Sequence, residues 1–127
     1  MKATITSLIF LLLSLTVSSQ TYKYIGIEEG LSNQKIYKIQ KDARGYMWFL
    51  THVGIDQYNG KEIKHYKLRE GNRELDPLLN INWTFLDKTG TLLVTGKQGR
   101  IFRYDSGHDR FVQIYSMYNY WNKDYHA

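Results

Sequence analysis

Two aspartates open the same four-residue pattern. Asp42-Ala43-Arg44-Gly45 and Asp87-Lys88-Thr89-Gly90 begin 45 residues apart. An aspartate beside a turn glycine can help chelate a cation, or it can accept the N–H groups of its own turn. A calcium site needs six or more oxygens from neighbouring positions, and neither aspartate has a second carboxylate next to it. The pattern therefore reads as turn chemistry. Glu28-Glu29 is the one adjacent carboxylate pair that could be considered for glycoside hydrolysis. Neighbouring residues on extended chain point to opposite sides, so the pair reads as part of a solvated loop. Trp48 could stack on a sugar ring, but its place among Met47, Phe49 and Leu50 points to core packing. His52, in the turn His52-Val53-Gly54, is a candidate ligand contact on a rim loop. Asn82-Trp83-Thr84 matches a glycosylation sequon, but placement on a buried strand would make it a poor acceptor. The four histidines are scattered and there is no cysteine, which excludes disulfides, thiolate chemistry and sulfur-ligated zinc. No catalytic, metal or cofactor site emerges, and the ligand-binding residues are unspecified.

The elements that carry these residues are strands. Eleven tyrosines, five phenylalanines and three tryptophans in 127 residues favour extended structure. The alternation of Tyr22 to Ile27 predicts a first strand, and Glu28 to Gln34 a loop. Strands are expected at 36–41, 46–51, 55–58 and 62–67, joined by the Asp42–Gly45 turn, the turn at His52–Gly54 and an Asn59-Gly60 hairpin. The charged stretch 68–79, with the single proline Pro77, reads as a connecting loop, with room for a short helical turn. The series then restarts, with strands at 81–86, 92–95, 100–104 and 110–115.

The second series repeats the first. Beyond the two Asp-x-x-Gly turns, Gly54 and Gly99 lie 45 residues apart and Tyr58 and Tyr104 lie 46 apart. Four strands per repeat of this length mark a β-propeller blade. A single eight-stranded sandwich or barrel is the alternative. The recurring turn favours the propeller, because stacked repeats need the same turn at the same depth. The structural repeat positions are Asp42, Gly45, Trp48, Gly54, Tyr58, Asp87, Gly90, Gly99 and Tyr104, and the fold class is all-β, a partial propeller of about two blades. The expected organisation is a leader at 1–19, a lead strand and loop at 20–35, blade 1 at 36–67, a connecting loop at 68–79, blade 2 at 80–116, and at 117–127 a tail or the start of a truncated third blade. The Tyr- and Trp-rich tail would offer a ligand surface or the edge where another blade docks.

The leader has a short positive start at Lys2, an apolar run from Leu8 to Val17, and small residues at Val17-Ser18-Ser19. This is the layout of a secretory signal peptide. The roughly ten-residue apolar core is shorter than the roughly twenty residues needed to span a bilayer. The remainder is expected outside the cytoplasm, in the periplasm of a double-membraned host. The formal charge of +5 is dispersed without a basic run, which argues against nucleic acid as a partner.

Gly30-Leu31-Ser32-Asn33, then Asp42-x-x-Gly45-x-x-Trp48-Phe49, then Gly54-Ile55-x-x-Tyr58-Asn59-Gly60 resemble the two-component regulator propeller repeat. The resemblance is close from Tyr22 to Tyr66 and looser from Ile81 to Tyr115. Leu93 stands where the repeat has tryptophan, Arg100 is inserted before Ile101, and Leu50 replaces the usual glycine before Thr51. The resemblance implies the first blades of a periplasmic sensor region, of the kind found in hybrid two-component histidine kinases of Bacteroidetes. It implies an oligosaccharide ligand, further blades, a transmembrane kinase region beyond this sequence, and a homodimer of the full-length sensor. It implies no enzymatic activity in this segment and no cofactor. The other reading is a secreted structural or interaction propeller without kinase output.

Overall fold

The computed structural model describes residues 1, 19–76 and 81–117. The leader segment 2–18, residues 77–80 around Pro77 and the aromatic tail 118–127 lie outside the described residues.

Two four-stranded antiparallel sheets make up the fold. The first runs β1 (Ile36–Lys41), β2 (Met47–Thr51), β3 (Gly54–Tyr58) and β4 (Ile63–Tyr66), in that spatial order. A small hairpin of β5 (Arg69–Glu70) and β6 (Arg73–Glu74) follows. The second sheet runs β7 (Trp83–Leu86), β8 (Leu92–Thr95), β9 (Ile101–Asp105) and β10 (Arg110–Tyr115), again in chain order, with a single 3-10 turn at Lys97–Gly99. The two sheets are successive propeller blades. Corresponding pairs recur: Lys38 faces Leu50 across β1–β2, and Trp83 faces Thr95 across β7–β8, each residue 45 positions after its counterpart. β1 and β7 are corresponding edge strands and approach each other, while β4 and β10 form the opposite edges.

The core lies between the blades. Trp48, Leu50, Ile55 and Tyr66 of the first meet Leu92, Val94, Phe102, Tyr104 and Phe111 of the second. Trp48, Tyr66, Tyr104 and Phe111 form a four-ring cluster, each ring touching the other three at centroid distances of 4.7 to 5.8 Å. Four of the six contacts are edge-on, the geometry that the ring quadrupoles favour. Trp48 is 2% exposed, so it fills the core and offers no platform to a ligand.

Two local expectations fail. Tyr22 to Ile27 forms no strand. Tyr22 and Tyr24 are exposed, and the chain closes a turn in which Leu31 N–H donates to the Gly26 carbonyl at 3.0 Å. The alternation is present, but a strand also needs a neighbour for its backbone groups. Residues 68–76, the described part of the expected connecting loop, hold a hairpin instead. Gly71, at φ 58°, turns the β5–β6 hairpin, and Leu68 and Leu75 anchor its base in the core, joined by a 2.9 Å backbone bond.

Candidate functional site

Each Asp-x-x-Gly turn is built around its aspartate. Asp42 Oδ1 accepts the N–H groups of Arg44 and Tyr46, both at 2.9 Å, and Oδ2 accepts the Trp48 indole N–H at 2.9 Å. Asp87 Oδ1 accepts the N–H groups of Thr89 and Thr91 at 2.8 and 3.0 Å. With Leu93 in place of tryptophan, the second oxygen takes a different partner: Arg103 Nε donates to Asp87 Oδ2 at 2.9 Å. The Thr89 hydroxyl, with the Thr91 N–H and Arg103, holds Asp87 well below the usual carboxylate range. No group of three or more metal-ligating side chains occurs among the described residues.

The two turns also touch. Ala43 N–H donates to the Gly90 carbonyl at 3.1 Å. A side-chain carbon at Gly90 would lie 2.3 Å from Ala43 Cβ, and the backbone there has φ +74°. Glycine is thus required at Gly90 for closeness as well as for turn geometry. Gly45, at φ +87°, has open space around it. Gly54 is pressed against the Tyr66 carbonyl of β4, which a side-chain carbon would meet at 2.9 Å. Gly99 closes the 3-10 turn at φ 63°.

The paired tyrosines differ in role. Tyr104 enters the four-ring core, whereas Tyr58 is only half-buried: its hydroxyl donates to the Gly60 carbonyl at 2.6 Å and accepts from Lys23 at 2.5 Å. They occupy corresponding positions of two blades, and among the described residues only the Tyr104 face has a blade packed against it.

Three groups that sequence reasoning missed tie the fold together. Asp109, in the β9–β10 turn, accepts the hydroxyls of Tyr66 and Tyr104 at 2.5 and 2.6 Å and pairs with Lys64 at 3.1 Å. The tyrosine hydroxyls, then Lys64, hold its carboxyl down at about 2. Burial, then the bond to Asp109, pushes the Tyr66 hydroxyl well above its ordinary value, and Tyr104 upward likewise. Asp56, fully buried, receives Ser32 N–H and Ser32 Oγ–H at 2.8 Å on one oxygen and bonds His65 Nδ1 at 2.8 Å with the other. Serine, aspartate and histidine meet here, but in the wrong order for nucleophilic catalysis. The carboxylate stands between the hydroxyl and the imidazole, so the imidazole is not placed to act as base for that hydroxyl. Its effect is to fasten the Gly30–Asn33 loop to the sheet. Arg103 is the third group. Each group has at least one partner distant in sequence, and nothing local marks it.

Glu28 and Glu29 are exposed, and Glu29 accepts the Gly26 N–H at 2.7 Å, a loop contact. His52 bonds the Tyr37 hydroxyl through Nε2, their rings in edge contact at 4.6 Å. Tyr37 leads into a cleft of about 400 Å³ between β1–β2 and the start of β7, lined also by Lys38, Thr51, Asn82 and Trp83. Asn82 is exposed and lines this cleft, so the expectation of a buried sequon is corrected. A larger groove, about 720 Å³, runs between the β5–β6 hairpin and β10. Of its lining charges, Lys67 and Arg69 pair with Glu74, and Glu70 is paired with Arg73 and Arg100 from outside the groove.

Stacked four-stranded antiparallel blades, sharing one core and repeating one turn, define an all-β propeller module. Residues 30–52, from the Gly30–Asn33 loop through β1 and β2 to His52, match the family model of the two component regulator propeller. Over that segment the chain is similar to a propeller repeat of the two-component regulator type. No curated protein matches the chain.

Proposed function

We propose that the chain is the opening segment of a ligand-sensing propeller in a two-component sensor, exported to the periplasm and responsive to a glycan. The observation that carries this reading is the family match over residues 30–52, set in a blade whose geometry recurs in the next. The apolar leader, with its small-residue site, supports export. The reading is of a non-enzymatic module, supported by aspartates that serve turns and clamps and by a Ser32–Asp56–His65 group whose imidazole does not contact the hydroxyl. Ligand binding would bias the packing of one blade on the next, and the kinase region of the full-length sensor would read that bias.

The test is a host strain lacking residues 30–117, with transcript levels followed as single oligosaccharides are supplied. Loss of induction by one class of glycan, restored by the intact gene, is expected. A full response in the deletion strain would count against sensing by this segment. Turnover of an oligosaccharide by the purified chain would overturn the non-enzymatic part of the reading.

A further inference from the structure

The positions that build the cleft between β1 and β7 are corresponding positions of the two blades. Tyr37 and Lys38 come from the first, and Asn82 and Trp83 stand 45 residues later in the second. At the turns, the repeat keeps aspartate and glycine because the backbone needs them. At these edge positions it places four different side chains, which the sheet does not require.

Local geometry also turns them outward. Ile36 pairs with Thr51 and Lys38 with Leu50, so Tyr37 is the extra residue of a β-bulge. A bulge re-aims a side chain and is common beside binding sites. Tyr37 is 51% exposed and Trp83 58% exposed, although both are large aromatics on strands. Lys38 Nζ lies 4.1 Å from the centre of the Trp83 ring and donates to the Thr84 carbonyl, bridging the blades. An ammonium has three donors, so that bond leaves Lys38 able to address another acceptor.

We propose that this cleft binds a sugar carrying an anionic substituent, a carboxylate or a sulfate, a proposal that rests on the glycan-sensing reading above. Two aromatic rings supply surface for the C–H face of a sugar ring. The Asn82 amide can both donate to and accept from hydroxyls. The volume of about 400 Å³ falls in the usual span of small-molecule sites, roughly 300–1,000 Å³. The charge selects the class: Lys38 is the one charged residue lining the cleft among the described residues, and no carboxylate lines it. His52, through its bond to Tyr37, acts as a positioning residue for that ring.

The experiment is isothermal titration calorimetry of the full chain with four tetrasaccharides: oligogalacturonate and chondroitin sulfate as anionic probes, maltotetraose and cellotetraose as neutral ones. The anionic probes should bind more tightly. Lys38→Gln, which keeps a donor for Thr84 but loses the charge, should weaken them about tenfold or more and remove the preference. Trp83→Ala should weaken binding roughly tenfold, and Trp83→Phe should restore much of it. Circular dichroism checks that each variant keeps its fold. Anionic probes that bind both Lys38→Gln and Trp83→Ala as tightly as the parent overturn the site while leaving glycan sensing intact. Equal affinity for neutral and anionic probes overturns the charge preference. No binding by any probe overturns the site as well, and the deletion strain then decides the sensing reading independently.

Discussion

Substituting Gly90 by alanine separates turn geometry from blade stacking. Gly45 and Gly90 both have positive φ, +87° and +74°. Forcing an L-residue into that region costs about 1–2 kcal/mol at either site. Only Gly90 has a neighbour in the way, with Ala43 Cβ at 2.3 Å from the added carbon. Carbon atoms rest about 3.5–4.0 Å apart, so the turns must part by more than about 1 Å. That separation breaks the Ala43 N–H bond to the Gly90 carbonyl, worth roughly 1 kcal/mol, and overpacking adds roughly another 1 kcal/mol or more. Gly90→Ala should therefore cost about 3–4 kcal/mol and Gly45→Ala about 1–2. Urea unfolding at one fixed protein concentration measures both. Adding Ala43→Gly should recover at least about 1 kcal/mol of the Gly90→Ala loss while doing nothing for Gly45→Ala, because only the close pair is coupled. Equal costs for the two glycine variants, or no rescue by Ala43→Gly, would refute the claim that the turns bear on each other.

Trp48→Phe keeps a ring in the core but removes the indole N–H that reaches Asp42. A loss of about 2–3 kcal/mol in urea unfolding is expected, since the bond is to a carboxylate. Asp109, held at about 2 in the fold, stabilises the protein fully above its unfolded value of about 3.9 and loses that contribution as pH falls toward 2. Thermal melts should drop across that window, and Asp109→Asn should flatten the drop. Tyr66 and Tyr104, raised in the fold, contribute below about pH 10 and weaken the protein above it, so melts should fall on the alkaline side as well. Phe85, Val112 and Ile114 are exposed on the second blade, and the chain should self-associate in sedimentation experiments. A monomer that melts cooperatively would contradict this.

What the sequence makes legible is what short spacing controls. Asp42 and Asp87 accept N–H groups two and four residues ahead, so the turns are written locally. The eight blade strands are likewise signalled by alternation and by their turns. Trp48 announces its burial through its apolar neighbours. Asp109 is different: its partners Lys64 and Tyr66 lie more than forty residues away, and its own surroundings resemble any polar turn. Asp56 sits in a short strand that carries no sign of a charge buried under a loop. Arg103 replaces the contact that Trp48 makes in the first blade, a compensation visible only once β8 and β9 lie side by side. Tyr22 to Ile27 shows the converse, a valid alternation with no partner strand. The cleft itself was half legible. His52 stands out as a rim-loop residue, but Tyr37, Lys38 and Trp83 become neighbours only when two blades stand together.

The fastenings between the blades are unevenly placed. The Asp42 and Asp87 turns join β1 to β2 and β7 to β8, and the turn carrying Asp109 joins β9 to β10. Because the strands alternate in direction, all of these lie at one rim, and the cleft between β1 and β7 opens at the other. Ala43 and Asp109 thus mark two tied points on that rim, one beside the strands that face each other and one beside the outermost pair. A ligand that spread the blades would meet least resistance at the far rim, where the Lys38 side chain spans the gap to Thr84. A wedge of one sugar ring there would act with the full height of a blade as its lever arm.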